Sequence, residues 1–410
     1  MVTISLFSGC GGLDYGFESA GYNIAFRNDI DKYSCETLKM NSKSAVINKA
    51  IEDITIDEIK TIVGNSLNAV DVVIGGPPCQ PFSKSAYWFR GDTLRLKDKR
   101  ANTLVEYFRI IKEVKPKAFL IENVQGINYS GKEEGFQYIL QSIKSINNTE
   151  GTNYIPYWKK LNSAEYGVPQ TRERLFLVAF KDGKLFHFPT PKYGDYDKYE
   201  LFENKTIPFI NCWDAIGNIE PDNDEKLDLG GYWADLLPSI PEGENYLWHT
   251  DRKGGMPLFG WRTRYWSFLL KLAKNKPSWT IQAQPGASIG PFHWKNRKLS
   301  WREMATIQTF PKDFIISGPH IEIQRQIGNA VPSLLAEIIA REIAIQGFGK
   351  KYDHDLKLKI KKSNYIPEQE KISEVPLKYY HLIGKHSPHP GTGKGNYYSK
   401  QKKENIFIDY

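Results

Sequence analysis

The sequence predicts an α/β protein with a doubly wound parallel sheet, followed by a smaller second domain of irregular or β-rich build. In the first half of the chain, short apolar runs alternate with segments of helical periodicity, an order typical of parallel strands covered by helices. After about Asp182 this periodicity fades, and eight of the ten tryptophans fall between Trp213 and Trp301. Helical spacing returns at residues 334–345, directly after Gly-Asn-Ala-Val-Pro at 328–332.

The elements of the first half follow in order from composition and spacing. Apolar runs with the length of buried strands occupy residues 3–7, 22–26, 70–74, 118–121 and 175–180. Apolar residues at intervals of three and four, as on amphipathic helices, mark residues 31–40, 56–63, 104–114 and 136–146. Because open α/β sheets bind ligands at the carboxyl ends of their strands, the turns after these strands are the candidate functional segments.

Length and cysteine content limit the class of protein. A chain of 410 residues can bury two hydrophobic cores. The four cysteines, Cys10, Cys35, Cys79 and Cys212, form no Cys-x-x-Cys pair, which argues against a zinc site or disulfide framework and favours a reducing compartment. The sequence contains neither a secretory signal nor an apolar stretch of about 20 residues, so we expect a soluble, cytoplasmic protein.

The net charge of +8 is concentrated near the carboxyl terminus. Residues 347–410 contain 13 lysines and 7 acidic residues. The rest of the chain is therefore nearly neutral, and its total charge is weak evidence for nucleic-acid binding. We expect residues 348–410 to form a basic tail or a loosely packed appendage that adds affinity for a polyanion.

One cysteine lies on a stiff turn. Residues 75–83 have the sequence Gly-Gly-Pro-Pro-Cys-Gln-Pro-Phe-Ser and follow the strand predicted at 70–74. Prolines on both sides restrict the backbone and hold Cys79 at the mouth of the sheet, which suits a nucleophile. A lone cysteine is more often a small buried apolar residue, so the neighbouring motifs decide between the two interpretations.

Glycines and acids at the first strand ends are candidate cofactor ligands. The sequence Phe-Ser-Gly-Cys-Gly-Gly at 7–12 lets a ligand approach the backbone and free helix amides, although it departs from the dinucleotide fingerprint. Asp29 ends the second strand, where an acid can bind ribose hydroxyls. Asp53 follows a third strand and can accept a hydrogen bond from an adenine amino group. Each acid alone is more simply a solvated loop residue.

Charged residues at later strand ends are candidate catalytic groups. Glu122 follows the strand at 118–121 and can hold a proton on an electron-poor ring that a thiolate attacks. Arg172 and Arg174 lie on one side of an extended segment and can bind a phosphate, a carboxylate or a base, or form surface ion pairs. Residues 84–100 are basic and aromatic, which fits a loop closing over a polyanion or an ordinary solvated loop.

Six segments, in this order, resemble the motifs of the cytosine-C5 DNA methyltransferase family in its microbial, restriction-modification form. They are residues 7–12, Pro-Pro-Cys-Gln at 77–80, Glu-Asn-Val at 122–124, Gln-x-Arg-x-Arg at 170–174, Arg-Glu at 302–303 with Gln-Thr-Phe-Pro at 308–311, and Gln-Ile-Gly-Asn-Ala-Val-Pro at 326–332. The resemblance implies an S-adenosylmethionine-dependent methyltransferase (Rossmann-like) fold with a smaller target recognition domain. It extends over about residues 5–345 and is weakest in the second domain.

The resemblance implies a reaction and its catalytic residues. Cys79 would attack C6 of a cytosine flipped out of duplex DNA, and Glu122 would hold the N3 edge of the ring. Arg174 would help to hold the base, with Arg172 supporting the site. C5 would then take a methyl group from S-adenosyl-L-methionine, and loss of the C5 proton would expel the cysteine.

The implied cofactor is S-adenosyl-L-methionine, and no metal is implied. Eleven positions match those that line the cofactor pocket of the family, namely Phe7, Gly9, Cys10, Gly12, Asp29, Ile30, Asp53, Ile54, Pro78, Leu104 and Asn329. Two positions depart from the family pattern. Ile30 stands where many members have an aromatic residue to stack on adenine, and Asn102 stands where glycine is common.

The implied domain plan has four parts. A catalytic and cofactor-binding domain (1–184) precedes a target recognition domain (185–323), a helix that returns to the catalytic domain (324–347) and a basic extension (348–410). Double-stranded DNA would lie in the cleft between the domains, and the second domain would read bases in the major groove. We expect a monomer in the prokaryotic cytoplasm or nucleoid, with any cognate restriction endonuclease acting separately.

Two alternative functions stay open. An RNA cytosine methyltransferase of the same fold carries Cys-Phe-Thr in its second domain, whereas here Trp213 and Asp214 follow Cys212. Other RNA enzymes use two cysteines in one site, and Cys10 and Cys35 lack the matching sequence context. A DNA-binding protein without activity conflicts with the presence of every candidate catalytic residue.

The DNA sequence recognised cannot be read from the chain. The candidate base readers are Arg262, Arg264, Gln282, Gln284, Lys295 and Arg297. Three neighbouring tryptophans, Trp261, Trp266 and Trp279, are predicted to lie in the core rather than to stack on bases.

Overall fold

The computed structural model describes residues 1–64, 66–78, 102–123, 134–195, 206–260 and 264–385. Its central sheet has seven strands, which are β1 Val2–Leu6, β2 Asn23–Asp29, β3 Ala45–Asn48, β4 Val70–Gly75, β5 Ala118–Asn123, β6 Tyr157–Asn162 and β7 Glu173–Phe180. The α-helices are α1 Gly12–Ser19, α2 Lys32–Asn41, α3 Ile56–Ile62, α4 Asn102–Val114, α5 Glu134–Glu150, α6 Cys212–Ile216, α7 Trp301–Ile307, α8 His320–Asn329 and α9 Ser333–Phe348. The strand order is β3-β2-β1-β4-β5-β7-β6.

The sheet is parallel from β3 to β5, but β7 runs antiparallel to both of its neighbours. The predicted α/β fold with a doubly wound, mostly parallel sheet is confirmed, and β7 is its antiparallel member. Residues 163–172, which connect β6 to β7, are too few for the helical crossover that a parallel pair needs. Strand β6 lies at the edge of the sheet and exposes residues 158–160, so no apolar run in the sequence predicts it.

Helices cover both faces of the sheet, each over its own core. On one face, α4 and α5 contribute Phe108 and Ile139. On the other face, α1 and α9 contribute Phe17 and Ile339. Helix α9, near the carboxyl terminus, thus packs against α1, near the start of the chain.

The contact between α1 and α9 is close enough to require glycine. A Cβ at Gly12 would lie 2.3 Å from the carbonyl oxygen of Val331, and a Cβ at Gly16 would lie 2.3 Å from the Cβ of Ala336. Gly12 was predicted from the resemblance to line a cofactor pocket. In the structure its missing side chain makes room for the backbone that leads into α9.

Residues 185–323 are called the irregular region. Where the structure describes them, they contain short helices and two-residue strands, which agrees with the irregular build among the two predicted alternatives. The strands here are two-residue pairs, with Tyr193–Gly194 beside Ile207–Pro208 and Ser278–Trp279 beside Gln170–Thr171. Aromatic packing replaces hydrogen-bonded ladders in one of its cores, which includes Trp233, Tyr246, Phe259 and Phe268. Side-chain contacts of this kind leave no periodic pattern in the sequence.

The segment 350–385 runs along the rest of the molecule with mostly exposed side chains, and a small number of contacts anchor it. The prediction of a tail or loosely packed appendage for residues 348–410 stays a prediction. Tyr379 is fully buried in the aromatic core of the irregular region. The lysine-rich composition of the segment 350–385 does not indicate this packing, because a few buried side chains are enough to anchor an extended segment. Among the described residues, no helix is both long and apolar enough to cross a membrane.

Candidate functional site

The carboxyl ends of β1 and β4 form the centre of the candidate site. These strands are neighbours, with Leu6 opposite Gly75, but the chain continues from them towards opposite edges of the sheet. Such a switch in strand order opens a crevice in which α/β proteins bind ligands. Residues 7–11 border the crevice on one side, and residues 76–78 border it on the other.

Asp29, at the end of β2, shapes the turn after β1. One of its carboxylate oxygens accepts a hydrogen bond from the Gly9 amide at 2.7 Å, and the other accepts from the Asp31 amide at 2.9 Å. Burial raises the pKa of Asp29, although these two amides oppose the shift. A Cβ built on Gly9 would meet no atom within 4 Å, so open space adjoins this part of the backbone.

The predicted cofactor residues divide into two groups by exposure. Seven of them are fully or partly exposed to solvent, namely Phe7, Gly9, Asp29, Ile30, Asp53, Pro78 and Asn329. The buried members are Cys10, Gly12, Ile54 and Leu104. Ile54 and Leu104 lie in the sheet core, and Cys10 lies in a separate core with Tyr15. These four can support a pocket by packing, but they offer no open side chain.

A carboxylate and a guanidinium meet at the ends of β5 and β7. The Oε1 atom of Glu122 lies 3.1 Å from Nε of Arg174, and the two side chains are only 12% and 17% exposed. A Cβ built on Gly76 would come 2.9 Å from Oε2 of Glu122. The side-chain amide of Asn123 donates to the carbonyl oxygen of Pro77 at 3.3 Å. The turn after β4 therefore lies against the Glu122–Arg174 pair.

Burial dominates the electrostatics of this pair. It raises the pKa of Glu122, although Arg174 and Arg172 act in the opposite direction. It also lowers the pKa of Arg174, and the attraction to Glu122 opposes that shift. Burial thus favours the protonated form of the Glu122 carboxyl, while the adjacent guanidinium favours the carboxylate.

Arg172 has a different environment from Arg174. Its side chain is fully buried, and it donates to the carbonyl oxygen of Gly328 at 2.8 Å and to that of Ile281 at 3.4 Å. Burial lowers its pKa. Arg172 thus connects the segment before β7 to the irregular region and to the end of α8, and it presents no open side chain.

Two buried glutamines, Gln170 and Gln308, add further hydrogen bonds between the same segments. Neither was predicted to have a role. Gln170 donates to Oε1 of Gln308 at 3.2 Å and accepts from the Ile281 amide at 3.1 Å. Gln308 donates in turn to the carbonyl oxygen of Ile327 at 2.7 Å. Both glutamines lie within motif segments, but their partners are distant in sequence and mostly backbone groups. No local sequence pattern therefore predicts these hydrogen bonds.

Cys79 and the segment 84–100 lie outside the described residues. The adjoining turn is described as far as Pro78, whose carbonyl oxygen accepts a hydrogen bond from the Thr103 hydroxyl at 3.2 Å. The start of α4 is therefore close to the position from which Cys79 follows.

The other cysteines are unsuited to nucleophilic chemistry. Cys10, Cys35 and Cys212 are buried. Burial raises the pKa of all three thiols, to about 11 for Cys35, so they stay protonated at neutral pH. In the described part of the chain, no group of acidic, histidine or cysteine side chains could hold a metal ion.

The predictions for the tryptophans are wrong where the structure describes them. Trp266 and Trp279 are 54% and 43% exposed, and their rings meet edge to face at 5.7 Å between centroids. Their size suggested core positions, but Trp279 lies on a two-residue strand that leaves its side chain uncovered. Residues 261–263 lie outside the described part of the chain.

The candidate base readers differ in their freedom to contact a ligand. Arg297 donates to both carboxylate oxygens of Glu303, at 2.8 and 2.7 Å, so its guanidinium is already engaged. Arg262 is among the residues that the structure does not describe. Those with exposed side chains are Arg264, Gln284 and Lys295, while Gln282 is half-buried.

Comparisons with known proteins identify similar chains. The family model described as C-5 cytosine-specific DNA methylase matches residues 1–344. Type II methyltransferase M.SacI from Streptomyces achromogenes is 39% identical over 84% of this chain and 92% of its own. Type II methyltransferase M.NgoFVII from Neisseria gonorrhoeae is 32% identical over 91% and 94%. A solved structure of a Spodoptera frugiperda DNMT2 mutant is similar in fold, with a TM-score of 0.56 and 19% identity over 83% and 99% of the two chains.

Proposed function

The chain belongs to the C-5 cytosine-specific DNA methylase family, and we propose that it methylates C5 of one cytosine within a short double-stranded DNA sequence, with S-adenosylmethionine as the methyl donor. Relatives that share most of its length are named type II methyltransferases. We therefore assign it to the modification side of a type II restriction–modification system. It would act as a monomer in the prokaryotic cytoplasm, and a restriction endonuclease for the same sequence would be a separate protein.

The observation that most directly supports this proposal is the buried Glu122–Arg174 pair beside the turn that leads to Cys79. A cytosine reaches such a pocket only after it rotates out of the duplex. Sγ of Cys79, as the thiolate, would form a bond to C6, while Glu122 holds a proton on N3 and Arg174 holds the base. The electron density gained by the ring makes C5 nucleophilic. After C5 is methylated, loss of its proton restores the C5–C6 double bond and releases the thiolate.

The residues beyond β1 and β2 fit the cofactor. The open space at Gly9 admits a ligand beside the backbone, and the exposed side chain of Ile30 offers an apolar surface to a purine. Asp29 retains lone pairs for ribose hydroxyls, and Asp53 is exposed and can accept a hydrogen bond from an amino group. When bound, S-adenosylmethionine supplies an electrophilic methyl carbon. The residues proposed to support this pocket from behind are Cys10, Gly12, Ile54 and Leu104.

We place the DNA in the cleft between a catalytic domain at 1–184 and a recognition domain at 185–323. Trp279 pairs with Thr171, three residues before Arg174, and we propose that its exposed ring contacts the DNA near the base pocket. Aromatic faces suit contact with unstacked bases, and the exposed cations Arg264 and Lys295 suit phosphate contacts.

Bisulfite sequencing tests this function directly. Plasmid DNA would be taken from cells that express the chain and from cells that express its Cys79→Ser variant. Protected cytosines at one recurring short sequence, absent with the variant, are the expected result. Protection in total RNA but not in DNA would contradict the proposal and favour the RNA alternative.

A further inference from the structure

The segment 350–385, which we call the strap, lies beyond the residues matched by the family model and binds to both parts of the molecule. Its first half lies beside α1 and α9, two helices that cover one face of the sheet. The Tyr352 hydroxyl donates to the carbonyl oxygen of Ala20 at 2.7 Å, just after α1. The carboxylate of Glu337, within α9, accepts hydrogen bonds from the backbone amides of residues 357 and 358.

The second half of the strap completes a buried charge cluster in the irregular region. The ammonium of Lys274 donates to the carboxylates of Glu242 and Glu370, each at 2.9 Å, and to the carbonyl oxygen of Glu368 at 2.7 Å. Lys274 and Glu242 are 3% and 2% exposed. Two of the three hydrogen-bond acceptors therefore come from the strap. Without the strap, the buried ammonium of Lys274 would lose two of its three hydrogen-bond acceptors, and a buried charge left without partners lowers the stability of the fold.

The strap also supplies an aromatic residue to the core of the irregular region. Tyr379 is fully buried, and its ring stacks on Trp233 with 5.5 Å between centroids and 6° between planes. Its hydroxyl donates to the carbonyl oxygen of Tyr232 at 2.5 Å. Nearby, the Ser373 amide donates to the carbonyl oxygen of Pro238 at 3.1 Å.

A short, continuous path leads from the strap to the candidate active site. Lys274 lies four residues before Ser278–Trp279, which pairs with Gln170–Thr171. Three residues after that pair lies Arg174, which contacts Glu122. The segment from 274 to 279 is thus fixed at one end by the strap and at the other by its pairing with Gln170–Thr171, the two-residue strand that precedes β7.

We propose that the strap positions the DNA-contacting surface of the irregular region relative to the Glu122–Arg174 pocket, with Glu370 and Tyr379 as its positioning residues. The proposal rests on the DNA methylation proposed above. Release of the strap would let residues 264–279 shift, so that DNA contacts and the base pocket no longer align. The cofactor residues near β1 and β2 would be unaffected by changes at Glu370 and Tyr379, because the contacts of these two residues lie in the irregular region.

Steady-state methylation separates this role from a general loss of structure. The substrate is a duplex that contains the site located by bisulfite sequencing. We expect Glu370→Ala and Tyr379→Ala to raise KM for DNA by about tenfold or more, with kcat within about threefold and KM for S-adenosylmethionine within about twofold of the wild type. Tyr379→Phe keeps the stacked ring and should restore most of the affinity.

The matched control is Leu377→Ala, because Leu377 belongs to the same short helix, Leu377–Leu382, but is 78% exposed. We expect this variant to match the wild type. Unchanged KM for DNA in Glu370→Ala and Tyr379→Ala would overturn the proposal. The proposal would also be overturned if kcat, cofactor affinity and DNA affinity of these two variants all fell together, in proportion to the fraction of folded protein. A wild-type protein that methylates no DNA would overturn the proposed function itself.

Discussion

Replacing Glu122 by glutamine tests the proposed role of its proton. The substitution keeps the size of the side chain and leaves an acceptor for Arg174, but it removes the titratable group. Glu122 is only 12% exposed, so water cannot readily replace a lost contact in the pocket. Glutamine can still donate a hydrogen bond to N3 but cannot transfer a proton to it. Removal of one preorganised electrostatic group in such a site typically lowers kcat by about 10²–10³, or about 2.7–4 kcal/mol. We expect a loss of this size for Glu122→Gln.

The same substitution should have a small effect on stability. Arg174 loses a charged partner, which costs about 1.5–3 kcal/mol for a hydrogen bond to a charged group. This cost is reduced because the amide oxygen still accepts a bond from Arg174 and because a buried carboxylate no longer has to ionise. We expect the free energy of unfolding to fall by no more than about 2 kcal/mol, so the inactive variant should remain folded.

The pH dependence of kcat gives the sharper readout. Burial raises the pKa of Glu122, so its protonated form persists to higher pH than that of an exposed glutamate. The wild-type rate should fall as pH rises through this pKa, because the ionised carboxylate cannot donate to N3. Glutamine cannot ionise, so the variant should lack this fall.

Glu173→Gln is the matched control for this experiment. Glu173 adjoins Arg174 in sequence, but it is 46% exposed and pairs with Lys160 at 3.0 Å. We expect its rate to stay within about twofold of the wild type, as for other exposed ion pairs. A Glu122→Gln enzyme that keeps more than a tenth of the wild-type kcat and the same alkaline decline would refute the proposed proton.

Three further predictions follow from the sequence and the packing. Cys79→Ser should abolish turnover while cofactor affinity, measured by calorimetry, stays within about tenfold; ordinary turnover would exclude the thiolate mechanism. Gly12→Ala should lower the free energy of unfolding by about 1–3 kcal/mol, because the added Cβ would crowd the Val331 carbonyl. An unchanged melting temperature would show that the backbone at Val331 can move away from the added Cβ at little cost. Deletion of all residues after Gly349 removes Tyr379 and should expose the aromatic core that its ring covers, so the melting temperature should fall by several degrees. A basic tail without packing contacts would affect only salt-dependent DNA affinity.

The sequence located most of the sheet and the segments that border the site. Apolar runs marked β1, β2, β4, β5 and β7 to within a few residues, because a strand that is buried on both faces excludes polar side chains locally. The acids at strand ends were found for the same reason, since a polar residue just after an apolar run stands out. Asp29 ends β2 and Glu122 lies at the end of β5, where the crevice opens.

The contacts around the site could not be predicted in this way. Gln170, Gln308 and Arg172 bond to backbone groups of residues 281, 327 and 328, and such partners carry no residue-specific signal. Exposure was misjudged for Trp266 and Trp279 because hydrophobic size alone does not reveal whether a neighbour covers a ring. The anchoring contacts of the strap could not be predicted because its sparse apolar and aromatic residues have no period, although Tyr379 lies in a core.

By itself the sequence determined the α/β core, the order of the motifs and the candidate chemistry of their residues, because burial and turn geometry impose patterns on adjacent residues. Only the tertiary structure decided that β7 runs antiparallel, that Gly12 makes room for the segment before α9, that Glu122 pairs with Arg174 and that the strap completes the irregular region. These features depend on groups that are far apart in the chain. Their free energy arises only when folding brings two surfaces together and removes both from water.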